Sequence, residues 1–178
     1  LYLGAEPVLR LPLDEAWAAD GTPLSDASGW GHDGVLYTGA SDTNKATSGA
    51  VGGSSLRLDG VDDYVTFGPT TSLGVSSFTL ETWFYWTGGG ATTSTGSTGL
   101  PSVYPMISKG RTDGTDGSNH DINVFLGIDS ATKALSVDFE AFSGGQNYPY
   151  KSTVEVTTDE WHHAAATYDS ATGVYAIY

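Results

Sequence analysis

Two acidic side chains in one glycine-rich loop have the chemistry of a calcium site. The loop, residues 26–34, reads DASGWGHDG, so Asp26 and Asp33 supply carboxylates and its glycines leave backbone carbonyls open. Calcium takes about six to eight oxygen ligands, often on flexible loops. Asp14, after an alternating apolar segment, and Asp62, in DGVDDYV, are expected to converge on this loop. The alternative is that Asp26 and Asp33 form turns by accepting backbone hydrogen bonds.

A second acidic loop, residues 113–121, reads DGTDGSNHD. Its acidic residues do not fall at the positions of an EF-hand, and no glutamate closes it. A polar surface loop is therefore predicted here, with a weak metal site as the alternative.

Aromatic and amide side chains in loop-like segments are candidates for binding carbohydrate. Aromatic faces stack on sugar rings, and amides and backbone groups hold the hydroxyls. The candidate ligand contacts are Trp30, Tyr104, Asn147, Tyr148 and Tyr150. The alternative is packing, because aromatic residues make up 12% of the chain and most should fill a core. A core position is predicted for Trp83, Trp86 and Trp161.

Catalytic chemistry finds less support. Asp138 and Glu140 alternate on one predicted strand, and two carboxylates at that spacing could act as acid and base on a glycosidic bond. No third acidic residue accompanies them, so a solvated strand face is predicted. His162 and His163 are adjacent, and neighbouring strand residues point to opposite faces. We therefore assign no catalytic residue.

The charge balance argues against some partners. The 178 residues include 21 acidic and 7 basic side chains, a net charge of −14. Such a surface repels nucleic acid and anionic membranes. The chain has no cysteine, which excludes disulfides and thiolate metal sites. No apolar run is long enough to predict membrane insertion.

Strand-like alternation dominates the chain. The 24 glycines and 7 prolines favour many turns, and residues 54–86 predict three short strands. Another strand is predicted at Leu9, Leu11 and Leu13, next to a lead-in or linker at residues 1–7. Residues 87–101, TGGGATTSTGSTGLP, predict a flexible surface insertion. The sequence therefore predicts an all-β fold in one domain, residues 8–178.

Several motifs resemble those of a known family. LRLDGVDDYV followed by SSFTLETWFYW resembles laminin G-like domains of the concanavalin A-like lectin/glucanase superfamily. LPLDEA, DASGWGHDGVL, MISKG and WHHAAATYDSATGVYAIY continue the likeness. It implies a two-sheet antiparallel jelly-roll sandwich. Since relatives continue past the strand in which this chain stops, we expect the last C-terminal strands to be lacking, or supplied by another chain through strand sharing.

The resemblance also implies a function. We expect a non-catalytic module for recognition or adhesion at an extracellular or cell-surface location, with glycan or extracellular protein as its partner. Calcium is the candidate cofactor, because many laminin G-like domains bind it. Two alternatives remain open: an accessory domain of a larger secreted hydrolase, and a structural subunit of a surface assembly completed by a neighbour's strand.

Overall fold

The computed structural model describes residues 6–16, 18–39, 45–110, 122–141 and 144–178. Among these residues are twelve β-strands and one short 3-10 helix, Thr71–Leu73, but no α-helix. None of the described residues forms a helix long and apolar enough to cross a membrane. The all-β prediction is confirmed. The acidic loop at 113–121 falls outside the described residues.

The chain divides into two compact units, Leu1–Leu73 and Gly74–Tyr178. In the first unit, a three-stranded antiparallel sheet has the order β1-β2-β5, and β3 and β4 form a separate hairpin. The strands are β1 (Pro23–Leu24), β2 (Gly34–Tyr37), β3 (Ala46–Ser48), β4 (Ser54–Leu56) and β5 (Tyr64–Thr66). Ala18, Leu24 and Leu36 form the buried core of this unit.

The strand predicted at Leu9, Leu11 and Leu13 is wrong, because residues 8–13 form no strand. Leu13 has a φ of 58°, which interrupts an extended backbone, and Pro12 between the leucines lacks a ladder donor. Leu11 and Leu13 nevertheless pack against the core of the first unit. The alternation of leucines thus indicated burial but not strand pairing.

The second unit contains two antiparallel sheets, one four-stranded in the order β10-β9-β8-β7 and one three-stranded in the order β12-β11-β6. The strands are β6 (Phe78–Tyr85), β7 (Val103–Gly110), β8 (Ile122–Asp129), β9 (Ala134–Asp138), β10 (Tyr150–Glu155), β11 (Trp161–Asp169) and β12 (Val174–Ile177). Leu126 and Val137 of the larger sheet share a core cluster with Ala164 and Ala166 of the smaller one. The two sheets therefore form a sandwich.

The core position predicted for Trp83 is wrong. Strand β6 alternates strictly, so Leu80 and Phe84 pack into the core while Trp83 is 50% exposed. Its ring lies against His163 on the neighbouring strand, with centroids 5.1 Å apart. Trp86 and Trp161 are half-buried.

The sequence predicted that the low-complexity segment 87–101 lies at the surface, but part of this segment is buried. Leu100 is fully buried in a cluster with Val103, Ile122 and Phe125. Thr93 and Val103 exchange two backbone hydrogen bonds of 2.9 Å. Thr95 is also fully buried. A buried leucine and specific hydrogen bonds therefore hold this segment in place, although its composition alone predicts flexibility.

Candidate functional site

A group of aromatic rings in the second unit surrounds a cleft. Its volume is about 320 Å³, and its lining residues come from β11, β12, the turn between these two strands and the segment that joins β9 to β10. The lining residues are Phe139, Ala141, Tyr148, Tyr168, Gly173 and Tyr175. Of the predicted ligand contacts, Tyr148 lies in this lining. Its side chain is 45% exposed.

Phe139 is the centre of the aromatic group. Its ring stacks on Tyr148 with centroids 5.1 Å apart and an interplanar angle of 14°. Tyr168 lies 4.5 Å away and Tyr175 lies 5.5 Å away. Tyr150, also predicted as a contact, is 6.1 Å from Tyr175 at the margin of the group. Mutual packing of this kind fixes the ring orientations before any ligand arrives.

A buried polar network adjoins the aromatic group. Asp138, at the end of β9, accepts a hydrogen bond of 2.9 Å from the Tyr148 backbone N–H through Oδ1. Its Oδ2 accepts from the Thr95 hydroxyl and, at 3.3 Å, from the Asn147 amide. The Asn147 amide also donates to the Thr95 carbonyl at 2.7 Å, and its oxygen accepts from the Thr98 hydroxyl. The structure thus places Asn147 in the network and not in the cleft lining.

Asp138 is fully buried, so the prediction of a solvated strand face is wrong for it. Burial raises its pKa to about 6, with Glu140 contributing in the same direction and hydrogen bonds from Thr95, Phe139 and Tyr148 opposing the rise. Glu140 accepts a hydrogen bond of 2.9 Å from the Ile122 backbone N–H. These contacts give Asp138 a structural role in holding the 95–100 segment.

Tyr175 is the residue of the cleft with the most unusual polar environment. Burial, reinforced by the charge of Asp138, raises its pKa far above the usual tyrosine value. Among the described residues, its hydroxyl is buried without a hydrogen-bond partner. The phenol therefore stays protonated and keeps an unused donor.

The other two predicted contacts, Tyr104 and Trp30, are not among the lining residues of the cleft. Tyr104, on β7, packs against Trp86 with centroids 5.7 Å apart, and the Lys133 ammonium lies 5.6 Å from the Tyr104 ring. Trp30, in the first unit, is 66% exposed.

The two adjacent histidines point to opposite faces of their strand, as strand geometry predicted. His162 stacks on Phe84. The His163 ring instead bonds the Glu81 carboxylate at 2.9 Å on the exposed face.

The loop 26–34 is built by Asp26 as a turn former. Its Oδ1 accepts from the Arg10 and Ser28 backbone N–H groups at 3.0 and 2.8 Å. Its Oδ2 accepts from the Ser28 hydroxyl at 2.7 Å and from the His32 N–H at 2.9 Å. These hydrogen bonds hold the pKa of Asp26 well below its ordinary value, against the effect of burial. Asp33 accepts from the Asp26 N–H at 2.8 Å.

The four carboxylates predicted as calcium ligands do not form one group. Asp14 accepts a hydrogen bond of 3.1 Å from Ser54 N–H, and Asp26 and Asp33 serve their own turn. Asp62 instead joins Asp59 and Asp63, where one oxygen of each carboxylate lies within 4.8 Å of the others. Within the described chain, this is the one group of three or more potential ligand residues that could hold a metal ion.

Sequence reasoning missed several residues that build these sites. Phe139, Tyr168 and Tyr175 lie on or next to predicted strands, and their alternation indicated burial but not their meeting. Asp59 and Asp63 flank Asp62 within five residues, a spacing that a tight turn can bring together. That spacing was the available signal for the acidic group.

Comparison with known proteins agrees with this architecture. Residues 59–178 match a laminin G family described as part of the concanavalin A-like lectin/glucanases superfamily. Searches of curated proteins and of solved structures returned no match. Laminin G-like domains are typically non-catalytic binding modules for carbohydrate or protein and are commonly extracellular. With its antiparallel sandwich and a match over most of its length, the chain belongs to the laminin G-like family of the concanavalin A-like lectin/glucanase superfamily.

Proposed function

We propose that this chain is a non-catalytic glycan-recognition module and that the aromatic cleft around Phe139 is its binding site. The observation that carries the proposal is the lining of the cleft, in which four aromatic rings surround a volume of about 320 Å³. That volume is at the lower end of the range for small-molecule pockets, about 300 to 1,000 Å³. It suits one sugar ring, with the rest of a glycan extending into solvent.

The chemistry of the lining supports a neutral sugar. The exposed ring of Tyr148 offers a face to the C–H groups of a pyranose, and its stacking on Phe139 keeps that face fixed. Phenol hydroxyls provide donors and acceptors for sugar hydroxyls. A net charge of −14 repels acidic glycans over a distance. We therefore expect uncharged hexoses to bind in preference to uronic or sialic acids.

A glycan array followed by titration calorimetry tests the proposal. With the glycan that gives the strongest signal, Tyr148→Ala should weaken binding about tenfold, a loss of about 1.4 kcal/mol. Tyr85→Ala is the matched control, because Tyr85 has a similar exposure, 46%, on the outer face of the three-stranded sheet. The control should bind as the wild type does.

Two outcomes would contradict this assignment. Binding lost in Tyr85→Ala but kept in Tyr148→Ala would move the site to the outer sheet face. If the protein bound no neutral glycan on the array, a protein ligand would be favoured, the other class that laminin G-like modules bind. An extracellular or cell-surface location is part of the proposal, and surface labelling of intact producing cells tests it.

A further inference from the structure

We propose that the turn at residues 59–63 binds one calcium ion through the carboxylates of Asp59, Asp62 and Asp63. This site is distinct from the loop 26–34, and the inference does not depend on the glycan proposal. One oxygen of each carboxylate lies within 4.8 Å of the others, so a single cation can contact all three. The ligands are all hard oxygens, the donor set that calcium prefers.

The second observation is the state of the Asp63 carboxylate. Its side chain is fully buried, yet Oδ1 has no hydrogen-bond partner among the residues that the structure describes. The other oxygen, Oδ2, accepts from the Lys45 ammonium at 2.8 Å and from the Asp59 N–H at 2.8 Å. Buried polar atoms are almost always partnered, and an unpaired charged one is especially costly. A bound cation supplies the missing partner.

The charge of the turn also fits a divalent ion. Three carboxylates and the Lys45 ammonium leave two negative charges, which one calcium ion neutralises. The Asp59 carboxylate also accepts a hydrogen bond of 2.8 Å from the Val61 N–H, which holds it in the turn.

The chain positions Asp62 closely. A Cβ atom at Gly39 would lie 2.4 Å from Asp62 Oδ2, so the carboxylate rests against a backbone that only glycine allows to come so near. Asp59 and Asp62 are exposed, which leaves room for water ligands to complete the shell of the ion. Magnesium demands a stricter octahedral arrangement, so we expect calcium to bind more tightly.

Titration of chelator-treated protein with calcium chloride tests the site, measured by calorimetry and by thermal melting. The wild type should bind one calcium ion, and its melting temperature should rise because the ion binds only the folded state. Asp59→Asn and Asp62→Asn should each weaken binding at least about tenfold, since ligand charge sets calcium affinity. Asp59→Asn keeps an oxygen for the Val61 N–H, which preserves the turn.

Asp14→Asn is the control, because it removes one exposed carboxylate of the same unit that lies outside the acidic group. It should bind calcium as the wild type does. Melting of every variant in chelator verifies its folding, so that a lost turn is not mistaken for a lost ligand. A wild type that binds no calcium would overturn the proposal. So would binding that survives both Asp59→Asn and Asp62→Asn, or that Asp14→Asn weakens equally.

Discussion

Replacing Thr95 by valine should destabilise the second unit far more than a loop substitution usually does. Thr95 lies within a run of glycine, serine and threonine, yet its side chain is fully buried. Its hydroxyl donates to Asp138 Oδ2 and accepts from the Leu100 backbone N–H at 2.6 Å. Valine matches the shape of threonine and removes both hydrogen bonds, so the perturbation is chemical and not steric.

The expected loss follows from the two hydrogen bonds. A hydrogen bond to a charged group contributes about 1.5 to 3 kcal/mol, and a buried N–H left unpaired costs about 1 to 3 kcal/mol. Together they predict a loss of about 2.5 to 6 kcal/mol in the free energy of unfolding. The loss should be larger at pH 8 than at pH 5, because the Thr95 hydroxyl stabilises the ionised form of Asp138 and so opposes the rise in its pKa.

Urea unfolding followed by tryptophan fluorescence measures this loss, and amide hydrogen exchange at residues 93–103 locates it. The control is Thr95→Ser, which keeps the hydroxyl and loses one methyl group, at a cost of about 1 kcal/mol. A loss below about 1 kcal/mol in Thr95→Val, or exchange at Leu100 no faster than in the wild type, would refute the role given to this hydroxyl.

Three further predictions concern the same networks. Stability should fall by about 3 kcal/mol as the pH rises from about 4 to above 6, because Asp138 holds its proton more tightly in the folded state, with a pKa of about 6 against 3.8. This contribution to stability is fully present below the unfolded pKa and lost above the folded pKa. The urea midpoint of the wild type should therefore fall with pH over this range, and that of Asp138→Asn should not. An equal slope in the two proteins would contradict the prediction. Asp26→Ala removes four hydrogen bonds and should cost about 2 to 4 kcal/mol in the first unit, against less than about 1 kcal/mol for Asp14→Ala, measured by urea unfolding with Trp30 fluorescence as the reporter. Gly99→Ala places a Cβ 2.3 Å from the Thr95 hydroxyl and should cost about 1 to 3 kcal/mol; equal melting temperatures for the variant and the wild type would show that the segment yields.

Local alternation predicted much of the fold. Strands β6, β8 and β9 follow period-two patterns that are visible without any tertiary information. The same pattern failed at Leu9, Leu11 and Leu13, where Leu13 has a positive φ and where Leu11 and Leu13 pack against the core without strand pairing. At Trp83 the structure follows the strand alternation, which places the ring outside, and not the core position that was predicted for it.

The sites depended on contacts that a linear pattern does not contain. Asp138 and Thr95 are 43 positions apart, and neither the buried carboxylate nor its donor is marked by neighbouring residues. The Asp26 turn was foreseeable as an alternative because its main donor partners lie within six residues. The acidic group at Asp59, Asp62 and Asp63 is local as well. The sequence-based prediction instead grouped Asp62 with distant aspartates near the loop 26–34 and did not include its neighbours Asp59 and Asp63.

The anchoring of the segment 95–100 has a consequence for how freely this part of the chain can vary. Ala91 and Thr92 are exposed, so a library with every substitution at these positions should retain folded protein in most members. Almost no substitution should be tolerated at three other positions. The Thr95 hydroxyl makes buried hydrogen bonds, Gly99 lies too close to its neighbours for a Cβ atom, and Leu100 belongs to a core cluster. A stretch with a repetitive composition can therefore carry as much positional information as a hydrophobic core strand.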